Sequence, residues 1–261
     1  MRPAAIRLWG RVMSLQHRIR LGLRRLGVDV ERYPASDPMF NVVRLLTHFG
    51  IDCVVDIGAN SGGFASAIRG LGYSGRIISL EPLSGPFELL AAQASTDPGW
   101  DAIRVAAGSE DGEIRINIAG NGGASSSVLA MLDTHANAAP ESRYVGTEAV
   151  PQRRLDGLLP EYGIDSSHPV FLKLDVQGYE VAVLDGAVEL FGAGAIAGLQ
   201  MELSLVPLYA GAITYKEGLD RAERLGMSLM GLIPGFPDPL SGRLLQFDAV
   251  FFAEPSTHLA P

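Results

Sequence analysis

The sequence has little cysteine and no long apolar run. Its one cysteine, Cys53, cannot form a disulfide within the chain, which favours a reducing compartment such as the cytoplasm. No apolar run approaches the roughly 20 residues of a membrane-spanning helix. Acidic residues outnumber basic ones, 29 against 21, and this argues against nucleic acid as the main partner. The apolar fraction of 47% excludes disorder as the default and suffices for the core of one large α/β domain.

Acidic residues are absent from the first 28 positions. This stretch holds seven arginines among large apolar residues such as Ile6, Trp9 and Leu15, a pattern typical of a basic amphipathic helix. It lacks the continuous apolar core and the cleavage site of a signal peptide. Three interpretations remain open: a helix packed on the domain, a helix docked on the anionic inner face of a membrane, and a basic arm for an acidic partner. We expect an extension over residues 1–38, one domain over residues 39–255 and a tail over residues 256–261.

The most informative stretch is a glycine-rich turn between a strand and a helix. Cys53–Ile57 is an apolar run that fits a buried parallel strand, and a helical pattern begins at Phe64. Gly58 and Gly62 lie in the turn between them, where the missing Cβ lets the backbone approach a ligand. A strand, a glycine turn and a helix in this order form the first half of a nucleotide-binding βαβ unit.

The turn lacks the second glycine of a dinucleotide site. Asn60 stands at that position, and Asp56 at the strand end suits an ammonium group better than a phosphate. The next strand, residues 75–80, is followed by Glu81, whose carboxylate suits a ribose diol. An ammonium partner, a ribose partner and no phosphate cradle together describe S-adenosylmethionine (SAM). The residues expected to contact this cofactor lie at strand ends and in the turns after them: Asp56, Gly58, Ala59, Asn60, Gly62, Glu81, Pro82, Ala107, Gly108 and Asp175.

A second polar cluster follows a buried strand in the second half of the chain. Residues 170–174 are apolar except for Lys173, Asp175 stands at their end, and Gln177 and Glu180 open the next helix. Ligands bind outside the carboxyl ends of the strands in an open parallel sheet, so Asp175 and Glu180 should lie at the same edge as the glycine-rich turn. Lys173 should reach out of the core or pair with an acid. The alternative is a structural role, in which Asp175 caps the helix and Glu180 complements its dipole.

The rest of the chain predicts alternating strands and helices. We expect helices over residues 41–49, 87–94, 181–190 and 214–225, and strands over residues 102–107, 113–119, 195–201, 227–233 and 244–253. Asp111 and Gly112 predict a hairpin before the strand at 113–119. The hairpin-like pair at the end predicts a Rossmann-like α/β fold, with a seven-stranded, mostly parallel sheet and an antiparallel last strand.

Residues 120–149 are the least regular part of the predicted domain. They form either a mobile lid near the site or a plain surface excursion. Their small polar stretch at 121–127 can lie against a ligand. We therefore expect Ser125 and Ser126, together with Gln177 and Glu180, to contact the acceptor.

The chain resembles the FkbM family of SAM-dependent O-methyltransferases in five short motifs. They occupy residues 55–62, 80–82, 154–156, 172–180 and 201–204. The first motif is shared by many methyltransferases, whereas Lys-x-Asp-Val-Gln-Gly-x-Glu and Met-Glu-Leu are more specific to this family. The resemblance implies the class I methyltransferase fold and methylation of a hydroxyl, often on a sugar or a secondary metabolite. It does not extend to residues 1–28.

Methyl transfer to an alcohol needs the acceptor oxygen, the methyl carbon and the sulfur to be aligned, and it needs a group that takes the hydroxyl proton. Asp175 is the first candidate for this base, with Glu202 and His168 behind it, and Lys173 completes the expected catalytic set. A divalent metal held by Asp175, Glu180 and Glu202 is the alternative activator, but no dense ligand motif favours it.

Two other functions remain open at this point. A nicotinamide-dependent oxidoreductase is disfavoured by Asn60 and Asp56 in the glycine-rich turn. A non-catalytic SAM-binding or membrane-associated scaffold would keep the turn and need no base. For the methyltransferase, the expected acceptor is a small molecule, a sugar or a glycolipid.

Overall fold

The computed structural model describes residues 37–253, together with Leu23 and Leu26. All elements below lie in the second of the two units into which the chain divides, Pro38–Pro261. The amphipathic helix expected in residues 1–28 falls, apart from Leu23 and Leu26, outside the described residues, as does the tail from residue 256, and both stay predictions. In the part of the chain that is described, no helix is both long and apolar enough to cross a bilayer.

Strands and helices alternate along the described chain, as the sequence predicts. The strands are β1 (Cys53–Ile57), β2 (Arg76–Leu80), β3 (Trp100–Ile103), β4 (Ala106–Ala107), β5 (Gly112–Ala119), β6 (Tyr144–Arg153), β7 (Val170–Leu174), β8 (Ile196–Ser204), β9 (Met227–Pro234) and β10 (Gln246–Ala253). The helices are α1 (Pro38–His48), α2 (Gly63–Gly70), α3 (Ser84–Ala94), α4 (Asp133–Ala138), α5 (Leu155–Glu161), α6 (Glu180–Asp185), α7 (Val188–Gly192) and α8 (Tyr215–Arg224).

Seven of the strands form one large sheet in the order β3-β2-β1-β7-β8-β10-β9. Neighbouring strands pair in parallel from β3 across the sheet to β8, whereas β10 runs antiparallel to both β8 and β9. This confirms the fold expected from the sequence. The strand order reverses beside β1, so the carboxyl ends of β1, β2 and β7 border the crevice in which such sheets bind ligands.

The central strands are buried on both faces because they are apolar throughout. Val54 and Phe171 belong to a cluster on one face that includes Leu46 of α1. Val55 and Leu172, one position on, belong to the cluster of the opposite face, which α5, α6 and α8 cover. Each fully buried aliphatic side chain contributes about 1.5–3 kcal/mol of transfer free energy, so two layers of helices fix the strand ends in place.

The remaining strands form a small sheet, in the order β4-β6-β5, that corrects two expectations. The single strand expected over residues 102–107 is split, because β3 ends in the large sheet and β4 begins the small one. The hairpin expected at Asp111 and Gly112 is wrong, because β5 pairs antiparallel with the distant β6 and Gly112 opposes Gln152. That pairing buries Ile116 and Val150 in one cluster, which a local turn signal does not reveal.

Residues 120–149 are more regular than expected. They contain α4 and the first half of β6. Two backbone hydrogen bonds tie them to the segment after β8: the N–H of Leu132 donates to the carbonyl of Leu208 at 2.8 Å, and the N–H of Ala210 donates to the carbonyl of Ala130 at 2.8 Å. We call residues 121–132 the roof segment, since part of it covers the site described below.

The single helix expected over residues 181–190 is two short helices, α6 and α7, with Gly186 between them. A Cβ on Gly186 would lie 2.0 Å from the carbonyl oxygen of Gly108. The backbone after β4 therefore passes directly against this joint, and periodicity alone carries no trace of that contact. Helix α8 agrees with its prediction and begins with a capping box between Thr214 and Glu217.

Candidate functional site

A cleft opens at the carboxyl ends of β1, β2 and β7. It encloses about 730 Å³, open space at its mouth included. Its walls come from the turns after β1, β2 and β7, from β4 and from the roof segment. Val105, Ile116 and Val128 give it apolar walls, while Glu81 and Asp175 bring carboxyl groups to it.

Gly58 lines the cleft, but its missing Cβ serves a contact within the protein. Its φ is +77°, and a Cβ there would lie 2.0 Å from the carbonyl oxygen of Asp175. Likewise, a Cβ on Gly62 would lie 2.9 Å from the ring of Trp100. The turns after β1 and β7 thus touch through their main chains at Gly58, which gives this glycine a second reason beside the expected close approach of a ligand, and that approach stays a prediction.

Asn60 takes the place of a glycine because asparagine tolerates a left-handed backbone. Its φ is +47°, and its side-chain oxygen accepts a hydrogen bond from the N–H of Ser61 at 2.7 Å. Its own N–H donates to Oε2 of Glu81 at 2.8 Å, and its side-chain nitrogen donates to the carbonyl of Gly122 at 3.1 Å. Asn60 thus joins the turn after β1 to Glu81 and to the roof segment.

Glu81 lies in the cleft, where the sequence places it, and is only 5% exposed. Its two oxygens accept hydrogen bonds from the N–H groups of Asn60, at 2.8 Å, and Leu83, at 2.9 Å. Burial raises the pKa of Glu81 to about 7. Each oxygen keeps a further lone pair, so the ionised carboxyl can also accept from a ligand hydroxyl.

Asp56 is fully buried and does not reach the cleft. Nζ of Lys173 lies 3.2 Å from its Oδ1, and the same ammonium donates to Oδ2 of Asp175 at 3.1 Å. Although burial favours the neutral amine, Asp175 and Asp56 raise the pKa of Lys173 above its ordinary value. Direct contact of Asp56 with a ligand ammonium is therefore not found, because Asp56 is occupied in holding Lys173 beneath Asp175.

Two carboxyl groups share the side-chain amide of Gln177. Its nitrogen donates to Oδ1 of Asp175 at 2.8 Å and to Oε2 of Glu202 at 2.7 Å. Glu202 also accepts from the side-chain nitrogen of Gln246 at 3.0 Å. Burial and the neighbouring Asp175 raise the pKa of Glu202 well above its usual value. The structure thus brings together all three residues of the expected catalytic set, with Asp175 in the cleft and Lys173 and Glu202 on either side of it.

Tyr209 and Gln246 belong to this network, although neither is predicted as a site residue from the sequence. The hydroxyl of Tyr209 donates to the side-chain oxygen of Gln177 at 2.6 Å. Gln246 begins β10, and because that strand is antiparallel its first residue lies at the same edge as Glu202. The predicted antiparallel last strand was a signal for Gln246. Tyr209 lies in an aperiodic segment and has no comparable signal.

The three serines of the roof segment have different positions. Ser126 and Ser127 line the cleft, and the hydroxyl of Ser127 donates to the carbonyl of Gln177 at 2.8 Å. Ser125 is 8% exposed and turns its carbonyl to the Tyr209 hydroxyl at 3.2 Å. The acceptor contact expected for Ser125 is therefore not found in this arrangement, whereas Ser126 lies where the expectation puts it.

Glu180 and His168 lie away from the cleft. Glu180 is buried, burial raises its pKa to about 7, and it accepts from the N–H of Gly178 at 3.1 Å. His168 precedes β7 at the opposite edge of the sheet and pairs with Asp165 at 3.0 Å, so its place as a candidate base is wrong. Among the described residues, no group of three or more His, Cys, Asp or Glu side chains is arranged to hold a metal ion.

Of the remaining residues expected to contact the cofactor, two line the cleft and two are packed within the protein. Pro82 and Ala107 line the cleft. Ala59 is buried in the core cluster of the α1 face. Gly108 packs against Gln152, whose Cδ would lie 2.4 Å from a Cβ at that position. Contact with a cofactor is therefore supported for the first two and not for the other two.

Comparison with known proteins adds a family to this geometry. A family model described as the methyltransferase FkbM domain matches residues 56–230, more than half of the chain. No curated protein is significantly similar to the chain. Among solved structures, the methyltransferase FkbM of Methylobacillus flagellatus KT is 16% identical with a TM-score of 0.46; the alignment covers 76% of this chain and 43% of that one. This chain thus spans less than half the length of that protein.

Two further solved structures resemble the chain over most of their length. A SAM-dependent methyltransferase from Aquifex aeolicus is 11% identical, with a TM-score of 0.41 and coverage of 90% of this chain and 98% of that one. The 1,6-didemethyltoxoflavin-N1-methyltransferase of Burkholderia thailandensis is 14% identical, with a TM-score of 0.42 and coverage of 90% and 83%.

Proposed function

The chain belongs to the methyltransferase FkbM family, and on that premise we propose that it methylates a hydroxyl group of a small acceptor with SAM as the methyl donor. The acceptor classes we propose are sugars, glycolipids and secondary metabolites. The observation that carries the proposal is that Glu81 and Asp175 line one cleft. One carboxyl suits a ribose diol and the other suits a hydroxyl proton, and both face the same cavity.

The residues of the cleft fit SAM. Glu81 keeps lone pairs for ribose hydroxyls, since each of its oxygens accepts one main-chain N–H. Val105 and Ile116 offer apolar surface to an adenine ring. When bound, SAM supplies an electrophilic methyl group. The part of the protein is then to align the acceptor oxygen with that group and to take up its proton.

Asp175 is the residue that we propose as the general base. Its side chain is 35% exposed in the cleft, and Lys173 and Gln177 each hold one of its oxygens. A positioned base contributes about 10²–10⁴-fold in rate, whereas alignment of the reacting groups can lower the barrier by about 7–11 kcal/mol. Most of the rate enhancement would therefore come from alignment of the reacting groups. The smaller contribution of Asp175 would be to take the proton from the acceptor hydroxyl, which makes its oxygen a better nucleophile.

The substitution Asp175→Asn tests this role. We expect it to retain SAM affinity, measured by calorimetry, and to lose about 10²-fold of the methyl transfer rate because the amide takes no proton. The assay is incubation with methyl-labelled SAM and fractionated lipid, sugar and metabolite extracts, followed by mass spectrometry of the labelled products. Asp220→Asn, an exposed position on α8, is the matched control.

Three results would contradict the proposal. Transfer by Asp175→Asn at the control rate would leave Asp175 with a structural role alone. SAM binding without label in any fraction from the unaltered protein would favour a non-catalytic scaffold. Calorimetric binding of NAD in place of SAM would favour an oxidoreductase.

We further propose that residues 1–28 attach the protein reversibly to an anionic membrane surface, at the inner face of the membrane. The support is their sequence, which combines seven arginines with large apolar residues and has no acid. Such attachment would bring the cleft close to a glycolipid acceptor.

A further inference from the structure

Gln177 has a backbone conformation that residues other than glycine rarely adopt. Its φ is +54°, in the left-handed region, and the residue is 7% exposed. Such conformations persist where the surroundings over-determine them, and they concentrate at functional sites. The contacts of Gln177 therefore need a reason beyond the path of the chain.

Three separate segments hold Gln177 in place. From the roof segment, the Ser127 hydroxyl donates to its main-chain carbonyl at 2.8 Å. From the segment after β8, the Tyr209 hydroxyl donates to its side-chain oxygen at 2.6 Å. The side-chain nitrogen in turn donates to Asp175 and Glu202, at 2.8 and 2.7 Å.

These contacts fix which way the amide of Gln177 faces. A reversed amide would turn its oxygen towards the Asp175 carboxylate, which repels it. Tyr209, by donating to that oxygen, holds it on the opposite side. The Tyr209 residue is buried, 2% exposed, and its ring lies edge to face with the ring of His135, with the two ring centroids 5.2 Å apart. Removal of the hydroxyl alone therefore leaves the packing of the ring in place.

We propose that Gln177 and Tyr209 are positioning residues for methyl transfer: Tyr209 orients the Gln177 amide, and that amide holds the Asp175 carboxyl towards the acceptor. This inference rests on the proposed function, in which Asp175 is the base. It gives Gln177 a role other than the direct acceptor contact expected from the sequence. It also makes the segment after β8, through Tyr209, a part of the catalytic geometry.

The test compares two tyrosine hydroxyls. Tyr209→Phe removes a hydroxyl that contacts both Gln177 and the carbonyl of Ser125 in the roof segment. Tyr144→Phe removes a hydroxyl that contacts the roof segment but not Gln177, through the carbonyl of Leu129 at 2.8 Å. We expect Tyr209→Phe to keep SAM affinity and to lower labelling of the cell extract about tenfold to a hundredfold at saturating SAM, since a misplaced group costs this much. Tyr144→Phe should stay within about twofold of the unaltered protein.

A second variant shows whether Tyr209 acts through Gln177. Gln177→Gly keeps the left-handed backbone without strain and removes the amide. It should lower labelling as much as Tyr209→Phe or more, and adding Tyr209→Phe to it should have no further effect, as expected of residues in one network. Additive losses in the double variant would overturn the inference.

A third readout needs no acceptor. The Gln177 amide donor is absent in Gln177→Gly and no longer held towards Glu202 in Tyr209→Phe. In both variants, but not in Tyr144→Phe, the titration of the ¹³C-labelled Glu202 carboxyl, followed by NMR, should shift to higher pH. Equal shifts in all three variants, or none, would refute the positioning role. Different results would contradict the proposed function: no methyl label in any extract with the unaltered protein, or equal transfer rates for Asp175→Asn and Asp220→Asn. The Glu202 titration would still decide whether Tyr209 orients Gln177.

Discussion

At the scale of single residues, the cleft and the core around it hold carboxyl groups whose pKa is raised by burial. Burial raises the pKa of Glu81 and of Glu180 to about 7, and that of Asp248, beside Glu202 in the sheet, to about 6. The folded protein therefore retains protons at a pH where the unfolded chain has released them. Stability conferred in this way is present in acid and falls as the pH rises.

We expect Glu81→Gln to flatten the pH dependence of the free energy of unfolding. The pKa of Glu81 is raised from 4.5 to about 7, so its contribution is fully present below the unfolded value and is lost as the pH rises through about 7. The loss is at most about 3 kcal/mol, at about 1.4 kcal/mol per pH unit. Urea unfolding from about pH 5 to about pH 8 measures it.

Glu113→Gln, on the exposed side of β5, provides the matched control and should leave the curve unchanged. If the curves of Glu81→Gln and the unaltered protein ran parallel over this range, Glu81 would not be the group that binds the proton.

At the scale of elements, the turns after β1 and β7 form a single unit. The N–H of Asp175 donates to the carbonyl of Ile57 at 3.0 Å, and the carbonyl of Asp175 lies against Gly58. The turn assigned to the cofactor and the turn that carries the proposed base therefore cannot move independently.

A pair of glycine substitutions tests this unit. Gly58 and Gly226 have nearly the same φ, +77° and +78°, but no atom of the described residues lies within 4 Å of a Cβ on Gly226. Gly226→Ala should cost only backbone strain, about 1–2 kcal/mol of unfolding free energy. Gly58→Ala should lower the unfolding free energy by a further ~1–3 kcal/mol, because the new Cβ collides with Asp175, and it should also weaken SAM binding. Urea unfolding and calorimetry give the two quantities, and equal costs would refute the contact.

Local patterns predicted most of the large sheet and its edge. β1, β2 and β7 agree with their predictions to within a residue, because each is a short apolar run followed by a turn. The strand-end rule and the family motifs then brought Asp175 and Glu202 to one place. The pairing of β5 with β6, by contrast, depends on burial of residues far apart in the chain, and the local turn signal at Gly112 pointed elsewhere.

Contacts between loops were beyond sequence reasoning for the same physical reason. The break at Gly186 is set by the backbone of Gly108, and the place of Tyr209 is set by pairing between the segments around Leu132 and Leu208. Asp56 illustrates a different limit. Its position at the strand end was predicted, but its choice of Lys173 over a ligand depends on how deeply both side chains are buried.

At the scale of the whole molecule, charge is divided unevenly along the chain. Removing the seven arginines of residues 1–28 from a net charge of −8 leaves the rest of the chain at about −15. An anionic surface would attract the first part and repel the second, so attachment through residues 1–28 would also orient the domain.

We expect the full chain to co-sediment with anionic vesicles at low salt and to be released at high salt. Each arginine near such a surface contributes about 1 kcal/mol, and salt screens this attraction beyond about 10 Å. Neutral vesicles are the control, and a chain without residues 1–28 should stay folded, bind SAM and ignore both kinds of vesicle. Failure of the full chain to sediment would exclude membrane attachment, and unfolding of the shortened chain would make these residues a packing element.

The small sheet bears on how enzymes built this way can diversify. Ala106 opposes Gln152 and Ala107 opposes Arg153, so the chain between β4 and the end of β6 leaves and rejoins the domain at one point. That stretch supplies the roof over the cleft and no strand of the large sheet. A different stretch, of another length and sequence, needs to match only this pair of adjacent ends to be accommodated. On the proposed function, recombination can thereby exchange the roof over the cleft while leaving intact the strand ends that carry Glu81 and Asp175.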